Sequence, residues 1–278
     1  MKERAYAKIN LSLDVFNVRE NGYHDLKSIM VPINFFDDLY INKSENNHYY
    51  CNRNFIRFDE HNSIIKMINI LKDRYDIKDN HSIILKKMIP VRAGLGGGTA
   101  DAAATLRLFQ RMYNLNLSKE EIAQICLSVG ADVLFNYYNY PAVVSGIGDQ
   151  LERITIKDQY YALLVVPRGG VSTREAYELL DMNTCDHPDI DALRSALENG
   201  DDINGLLGNS LQQSAFKLNK EIEPIIISLK QDGFENVLMT GSGAGVFAIS
   251  KDESKIKKAY DDLFDSDHYV RFTSLLLD

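Results

Sequence analysis

The residues best suited to chemistry lie together in the stretch Pro90-Val91-Arg92-Ala93-Gly94-Leu95-Gly96-Gly97-Gly98-Thr99-Ala100. A glycine cluster that joins an extended segment to a helix start lets main-chain N–H groups converge, and the positive end of the helix dipole favours an anion there. Gly94 to Thr99 stand in that context, because apolar residues follow at helical spacing at Leu106, Phe109 and Tyr113. Phosphate binding is the chemistry such a turn suits; a plain flexible turn is the alternative. Two common phosphate motifs are excluded. A P-loop needs a lysine directly after its glycines, and in a dinucleotide fingerprint read from Gly94 and Gly96 the third glycine would stand where Thr99 does. Ala100, Ala102, Ala103 and Ala104 let the helix start approach a sheet or a nucleotide closely, and they also raise helix propensity.

Other residues carry chemistry only in combination. Lys8 and Asn10 share one face of an alternating segment, so the ammonium and the amide project toward whatever covers that face; a solvated lysine is the ordinary outcome. Asp132 follows the helix stop Gly130, where an aspartate ordinarily serves a turn. Tyr23 and His24 follow an Asn21-Gly22 turn and could stack on, and hydrogen-bond to, a heterocyclic base, or simply cover part of the core. Gly241 to Gly245 could form a second anion nest or a hairpin turn.

The elements that position these residues are legible from periodicity. Ala5, Ala7, Ile9, Leu11, Leu13 and Val15 alternate with polar residues, the signature of a half-buried strand. Separate extended stretches are predicted near 28–33 and 38–41. Ile64, Ile68, Leu71 and Tyr75 predict a helix capped at Asn62 or Ser63. Ser118 and Glu121 form a capping-box pattern ahead of a further helix, which Gly130 ends. Strands are predicted near 82–85, 142–148 and 160–166, then mostly helix to about 232, and finally strands near 237–240, 246–250 and 269–273 around a helix from about Asp252.

Composition narrows the function classes. The 278 residues are 45% hydrophobic, enough for a large core. The 31 Lys and Arg against 39 Asp and Glu leave a formal charge of -8, which argues against nucleic acid as the main partner. No apolar run approaches the roughly 20 residues of a membrane helix, and the start lacks a signal-peptide core, so a cytoplasmic protein is expected. Cys51, Cys126 and Cys185 are widely spaced and the six histidines are scattered, so reduced thiols and no protein-built metal site are expected.

Taken together, AKINLSL, PVRAGLGGGTADAAATL and MTGSGAGVFAI resemble the three ordered motifs of the GHMP kinases: a lysine-bearing first strand, a phosphate loop and a late glycine turn. NGYH, GADV and GVST further resemble the branch whose acceptor is a cytidine diphosphate-linked methylerythritol. The resemblance implies an α+β fold of two domains. A ribosomal protein S5 domain 2-like ATP-binding domain would cover 1–152 and a ferredoxin-like α/β domain 153–278, with the active site in the cleft between them. It implies ATP as co-substrate, Mg²⁺ with Thr99 as a candidate ligand, and a monomer or weak homodimer. Lys8 and Asp132 match the catalytic pair. Pro90, Ala93, Gly94, Leu95, Gly96, Gly97, Gly98, Thr99 and Ala100 match the phosphate loop, with Asn62 and Lys87 on the adenine side. Asn10, Tyr23, His24, Ser172, Thr173, Tyr177, Gly241 and Gly243 match the acceptor side, Tyr23 and Tyr177 as aromatics that sandwich the cytosine. The chain departs from the family pattern at Leu134, at Tyr138 to Pro141 and at Ala244-Gly245. Two other readings stay open: a GHMP kinase acting on another small alcohol, and a nucleotide-binding paralogue without catalysis.

Overall fold

The computed structural model describes residues 1–20, 22 and 24–277. Tyr23, expected to flank a base, therefore lies outside the described residues. The chain groups into two compact units. The first comprises Met1–Ala7, Phe35–Ile89 and Gly96–Asn139; the second comprises Lys8–Asn34, Pro90–Leu95 and Tyr140–Asp278.

Strand β1 (Lys2–Val18) and strand β2 (His24–Ser44) run through parts of both. The second strand is unbroken, where two separate stretches were expected near 28–33 and 38–41. Asp37 does not interrupt it because its carboxylate is buried and paired. In the first unit β2 pairs antiparallel with β4 (Asn80–Lys86), which pairs parallel with β3 (His48–Cys51). Helix α1 (Ser63–Tyr75) begins at Asn62, whose side chain accepts from the Ile64 amide, and α1 packs on α2 (Gly97–Tyr113). The capping box expected before α3 (Lys119–Val129) is formed: Ser118 Oγ accepts from Glu121 N and Glu121 Oε2 accepts from Ser118 N. A short helix absent from the sequence expectations, α4 (Val133–Tyr138), packs against α2 and α3 through buried Val133, Leu134 and Phe135. Asp132 thus lies in the turn closed by Val133 N donating to Gly130 O at 3.1 Å, and it is also the residue that precedes α4.

A polar chain running from the surface to the buried His81 closes this unit. Tyr113 Oη donates its only proton to Asp79 Oδ2 at 3.0 Å, so it accepts from His81 Nε2 at 2.7 Å, and Lys43 Nζ sits 2.6 Å from the same carboxylate oxygen. Burial pushes His81 down to about 4. The folded state therefore keeps the ring neutral while the unfolded chain takes up a proton below about pH 6.5. Its contribution, about 3 kcal/mol, is complete above about pH 6.5 and is lost as pH falls toward about 4. A His81→Gln chain should show a shallower loss of unfolding free energy between those pH values in urea titrations, and parallel curves would refute the assignment.

In the second unit β2 pairs with β5 (Ala142–Gly146), which pairs with β6 (Gln150–Arg153). A second sheet has the order β10-β7-β9-β8, antiparallel throughout, from β7 (Tyr161–Val166), β8 (Asn236–Met239), β9 (Val246–Ser250) and β10 (Tyr269–Ser274). The remaining helices are α5 (Thr173–Glu178), α6 (Ile190–Asn199), α7 (Gln212–Leu218), α8 (Ile222–Gln231) and α9 (Glu253–Leu263). Of these, α8 and α9 bury Ile225, Ile226, Leu229 and Ile256 in a core with Leu163, Val165, Val237, Val246 and Ala248.

Candidate active site

The polar face of β1 is not solvated. Lys8, Asn10 and Ser12 are all buried, which corrects the half-buried reading of that strand. Within the second unit this face is covered by the segment around Gly208 to Ser210 and by Thr240. Leu13 N donates to Gly208 O at 2.9 Å, Ser210 N to Leu13 O at 2.9 Å, and Asn10 N to Thr240 Oγ1 at 3.0 Å. Lys8 is 3% exposed, and its Nζ donates to Asn10 Oδ1 at 2.6 Å. Asn10 Nδ2 in turn donates to Ser28 Oγ at 2.8 Å, and Ser28 Oγ to Ser12 O at 2.6 Å. This relay fixes the amide so that its oxygen faces the ammonium. A long lysine chain thereby loses most of its rotational freedom, as a positioned cation requires.

The late glycine turn meets the start of the phosphate loop here. A Cβ on Gly94 would lie 2.0 Å from Thr240 O, and φ there is +70°, so only glycine fits this approach. A Cβ on Gly241 would lie 3.2 Å from Lys8 Nζ, which places the ammonium beside this contact. The turn is the hairpin between β8 and β9. Its amides at Gly243, Ala244 and Gly245 donate to Thr240 O, Arg92 O and Ala93 O at 3.0, 3.1 and 3.1 Å. The turn therefore anchors the loop through the amides of Ala244 and Gly245, while Gly243 N is held within the turn itself, so an anion there would have to compete for its N–H. The contacts of Ala244 and Gly245 with the loop run through their main-chain N–H groups and not through their side chains.

The same unit collects the acceptor-side candidates. His24 and Tyr177 meet with ring centroids 4.9 Å apart at 49°. Burial holds the His24 ring below its usual value, so it is neutral at pH 7 and offers one donor and one acceptor. Ser172 Oγ accepts from Glu175 N at the start of α5, and Thr173 Oγ1 lies 2.8 Å from Ser242 Oγ. Pro90 and Ala93 belong to this unit, with Ala93 buried.

The first unit holds the helix side of the phosphate loop. Gly96 has φ +68° and caps α2 without a side chain, so Gly97, Gly98, Thr99 and Ala100 form its first turn. Ser63 Oγ donates to Gly98 O at 2.7 Å, tying the start of α1 to that turn. Asn62 is occupied in capping α1, with its Nδ2 donating to Arg57 O at 2.7 Å. Lys87 is placed differently from a nucleotide contact. It is 3% exposed, and its Nζ lies 2.5 Å from Asp37 Oδ2 and 2.6 Å from Asp101 Oδ2. Burial, reinforced by Asp37, pushes Asp101 up to about 7 against the pull of Lys87. Although burial opposes its charge, the two carboxylates hold the Lys87 ammonium above its ordinary value. Asp37 Oδ1 also accepts the amides of Met88 and Ile89, at 2.5 and 2.9 Å, so the triad braces the segment entering the loop. Asp132 is half-buried at the first position before α4, and its carboxylate makes no capping hydrogen bond.

Sequence reasoning passed over Ser28, Thr240 and Asn136, and saw in Ser63 only a possible helix cap. The available signal was a small polar residue at an otherwise apolar strand or helix position, which becomes informative only once its distant partner is known.

Comparison with known proteins identifies the family. Residues 62–146 match the family described as GHMP kinases N terminal domain, and residues 185–268 match GHMP kinases C terminal. The 4-diphosphocytidyl-2-C-methyl-D-erythritol kinase of Bacillus subtilis strain 168 is 37% identical over 265 residues, covering 94% of this chain and 92% of the relative. The protein of that name from Exiguobacterium sibiricum is 38% identical over 264 residues, covering 94% and 92%. A crystal structure of 4-(cytidine 5'-diphospho)-2C-methyl-D-erythritol kinase superposes with a TM-score of 0.84 at 26% identity, covering 99% of each chain. Homoserine kinase from Cytophaga hutchinsonii, at 15% identity and a TM-score of 0.70, shares the fold.

Proposed function

The chain belongs to the GHMP kinase family, and we propose that it transfers the γ-phosphoryl group of ATP to the 2-hydroxyl of 4-diphosphocytidyl-2-C-methyl-D-erythritol, a step toward isoprenoid precursors. The observation that carries this reading is the buried Lys8–Asn10 pair beside the Gly94–Gly241 contact, in a chain that covers its kinase relatives almost end to end. The proposed boundary near residue 152 draws its support from the family matches over 62–146 and 185–268.

In this reading the acceptor oxygen forms a bond to the γ-phosphorus as the bond to the β–γ bridging oxygen breaks. ADP leaves, and the hydroxyl proton passes to Asp132. Lys8 orients the hydroxyl and offsets negative charge on the transferring group. Such transfers depend on positioning and electrostatics more than on early proton removal, so a well-placed weak base suffices. Mg²⁺ carried with ATP would supply charge neutralisation. Thr99 suits that ion, since its hydroxyl proton is given to Gly96 O at 2.8 Å and lone-pair density is what it can offer. The cytoplasm is the proposed compartment, and no helix among the described residues is long and apolar enough to cross a membrane.

The cytosine would rest on Tyr177, with His24 reading its edge. Base–aromatic stacking contributes about 1–3 kcal/mol, so Tyr177→Ala should raise KM for the cytidine substrate by about 10-fold while KM for ATP stays within about 2-fold. Free cytidine diphosphate should compete with the acceptor in wild type and compete less well in the variant. An equal rise in both KM values, or no competition by cytidine nucleotides in wild type, would count against this acceptor.

A further inference from the structure

Asn136 belongs to none of the motifs that carry the kinase reading, yet it touches the phosphate loop. It sits on α4 at 2% exposure, and its Nδ2 donates to Thr99 Oγ1 at 2.8 Å and reaches Gly96 O at 3.5 Å. Thr99 Oγ1 donates its proton to the same Gly96 carbonyl, which also accepts Ala100 N at 2.8 Å. A hydroxyl has one proton and two lone pairs. With the proton on Gly96 and one lone pair held by Asn136, Thr99 has a single lone pair of fixed direction left for a ligand. Thr99 is itself only half-buried, so that lone pair has access to one.

The donor is held in place from its other side. Arg107 Nη1 donates to Asn136 O at 2.7 Å and Tyr137 O at 3.0 Å, while Arg107 Nε pairs with Glu3 Oε1 at 2.9 Å. The arrangement also has a cost. Asn136 Oδ1 is buried and has no hydrogen-bond partner among the described residues. An unpaired buried amide oxygen destabilises a fold, and an apolar side chain of the same volume would avoid that penalty. Stability alone would favour leucine at this position, whereas only a donor such as asparagine can fix Thr99.

We propose that Asn136 is a positioning residue for the nucleotide, acting through the Thr99 hydroxyl to hold the Gly96 turn and the first amides of α2 in their phosphate-binding orientation. The inference rests on the kinase reading for the identity of the ligand. Its test is binding of a non-hydrolysable ATP analogue with an imido β–γ bridge, in the presence of Mg²⁺, followed by calorimetry. Asn136→Leu should weaken binding about 5-fold or more, the scale of one lost hydrogen bond, while its unfolding midpoint stays level or rises. Thr99→Val should weaken binding to a similar degree, and Thr99→Ser should not. In the Thr99→Val background, Asn136→Leu should add no further loss, because the route through the hydroxyl is already gone. Wild-type affinity in Asn136→Leu, or losses that multiply in the double variant, would overturn the assignment. If the leucine variant fails to fold, Asn136→Ala takes its place in the same cycle. Phosphoryl transfer by the wild-type chain is scored separately: its absence removes the kinase reading, while unchanged affinity removes only the role given to Asn136.

Discussion

Asp132→Ala is expected to lower kcat by about 10²-fold or more, the usual scale for loss of a positioned acid or base, with each KM changed by less than about 3-fold. The residue precedes α4 without using its carboxylate to cap that helix, so removing the carboxylate leaves the local backbone bonds in place. Val133 N still reaches Gly130 O at 3.1 Å, and Asn136 N still reaches Asp132 O at 3.0 Å. A fall in kcat with little change in KM identifies a group whose effect is expressed in the transition state. Steady-state kinetics with both substrates varied decides the matter. Near-normal turnover would remove Asp132 as the proton acceptor, and a large rise in KM with intact kcat would make it a binding group instead.

Lys87→Met should cost about 3–5 kcal/mol of unfolding free energy at pH 8, the penalty for leaving buried carboxylates without their cation. Asp37 and Asp101 are both buried, and each presents an oxygen to the same ammonium. Without Lys87 the burial and the neighbouring Asp37 charge that raise Asp101 are unopposed, so the folded variant binds more protons than the unfolded chain. Its deficit should therefore shrink as pH falls from 8 toward 5, opposite to the acid sensitivity expected from His81. Urea titrations across that range test both the size and the sign. A loss below about 1 kcal/mol at pH 8 would show that the triad does not hold the segment entering the loop.

Much of this molecule was legible because its signals are local. The existence of β1, the Asn62 and Ser118 caps and the alanine-rich start of α2 each depend on neighbours within a few residues, and each formed as expected, although β1 is buried on both faces over 7–13. What escaped depends on distant partners. Lys8 reads as a solvated lysine until the segment around Gly208 and Thr240 covers its face of the strand. Residues 34–37 separate the stretches expected near 28–33 and 38–41, yet they continue β2, with Asp37 paired inside the sheet to Lys87, far along the chain. Lys87 likewise matched an adenine-side position by motif, but its ammonium is enclosed by two carboxylates. Helix α4 is too short for periodicity to announce it, and with it went the one signal that could have singled out Asn136.

Family membership and the roles of Lys8 and Asp132 meet in one reaction. Purified protein incubated with ATP, Mg²⁺ and 4-diphosphocytidyl-2-C-methyl-D-erythritol, followed by phosphorus NMR, should develop a new phosphomonoester resonance in step with ADP while the acceptor's diphosphate signals persist. No such resonance under conditions where ATP is bound, or its appearance only with an acceptor lacking the cytidine diphosphate, would contradict the proposed function.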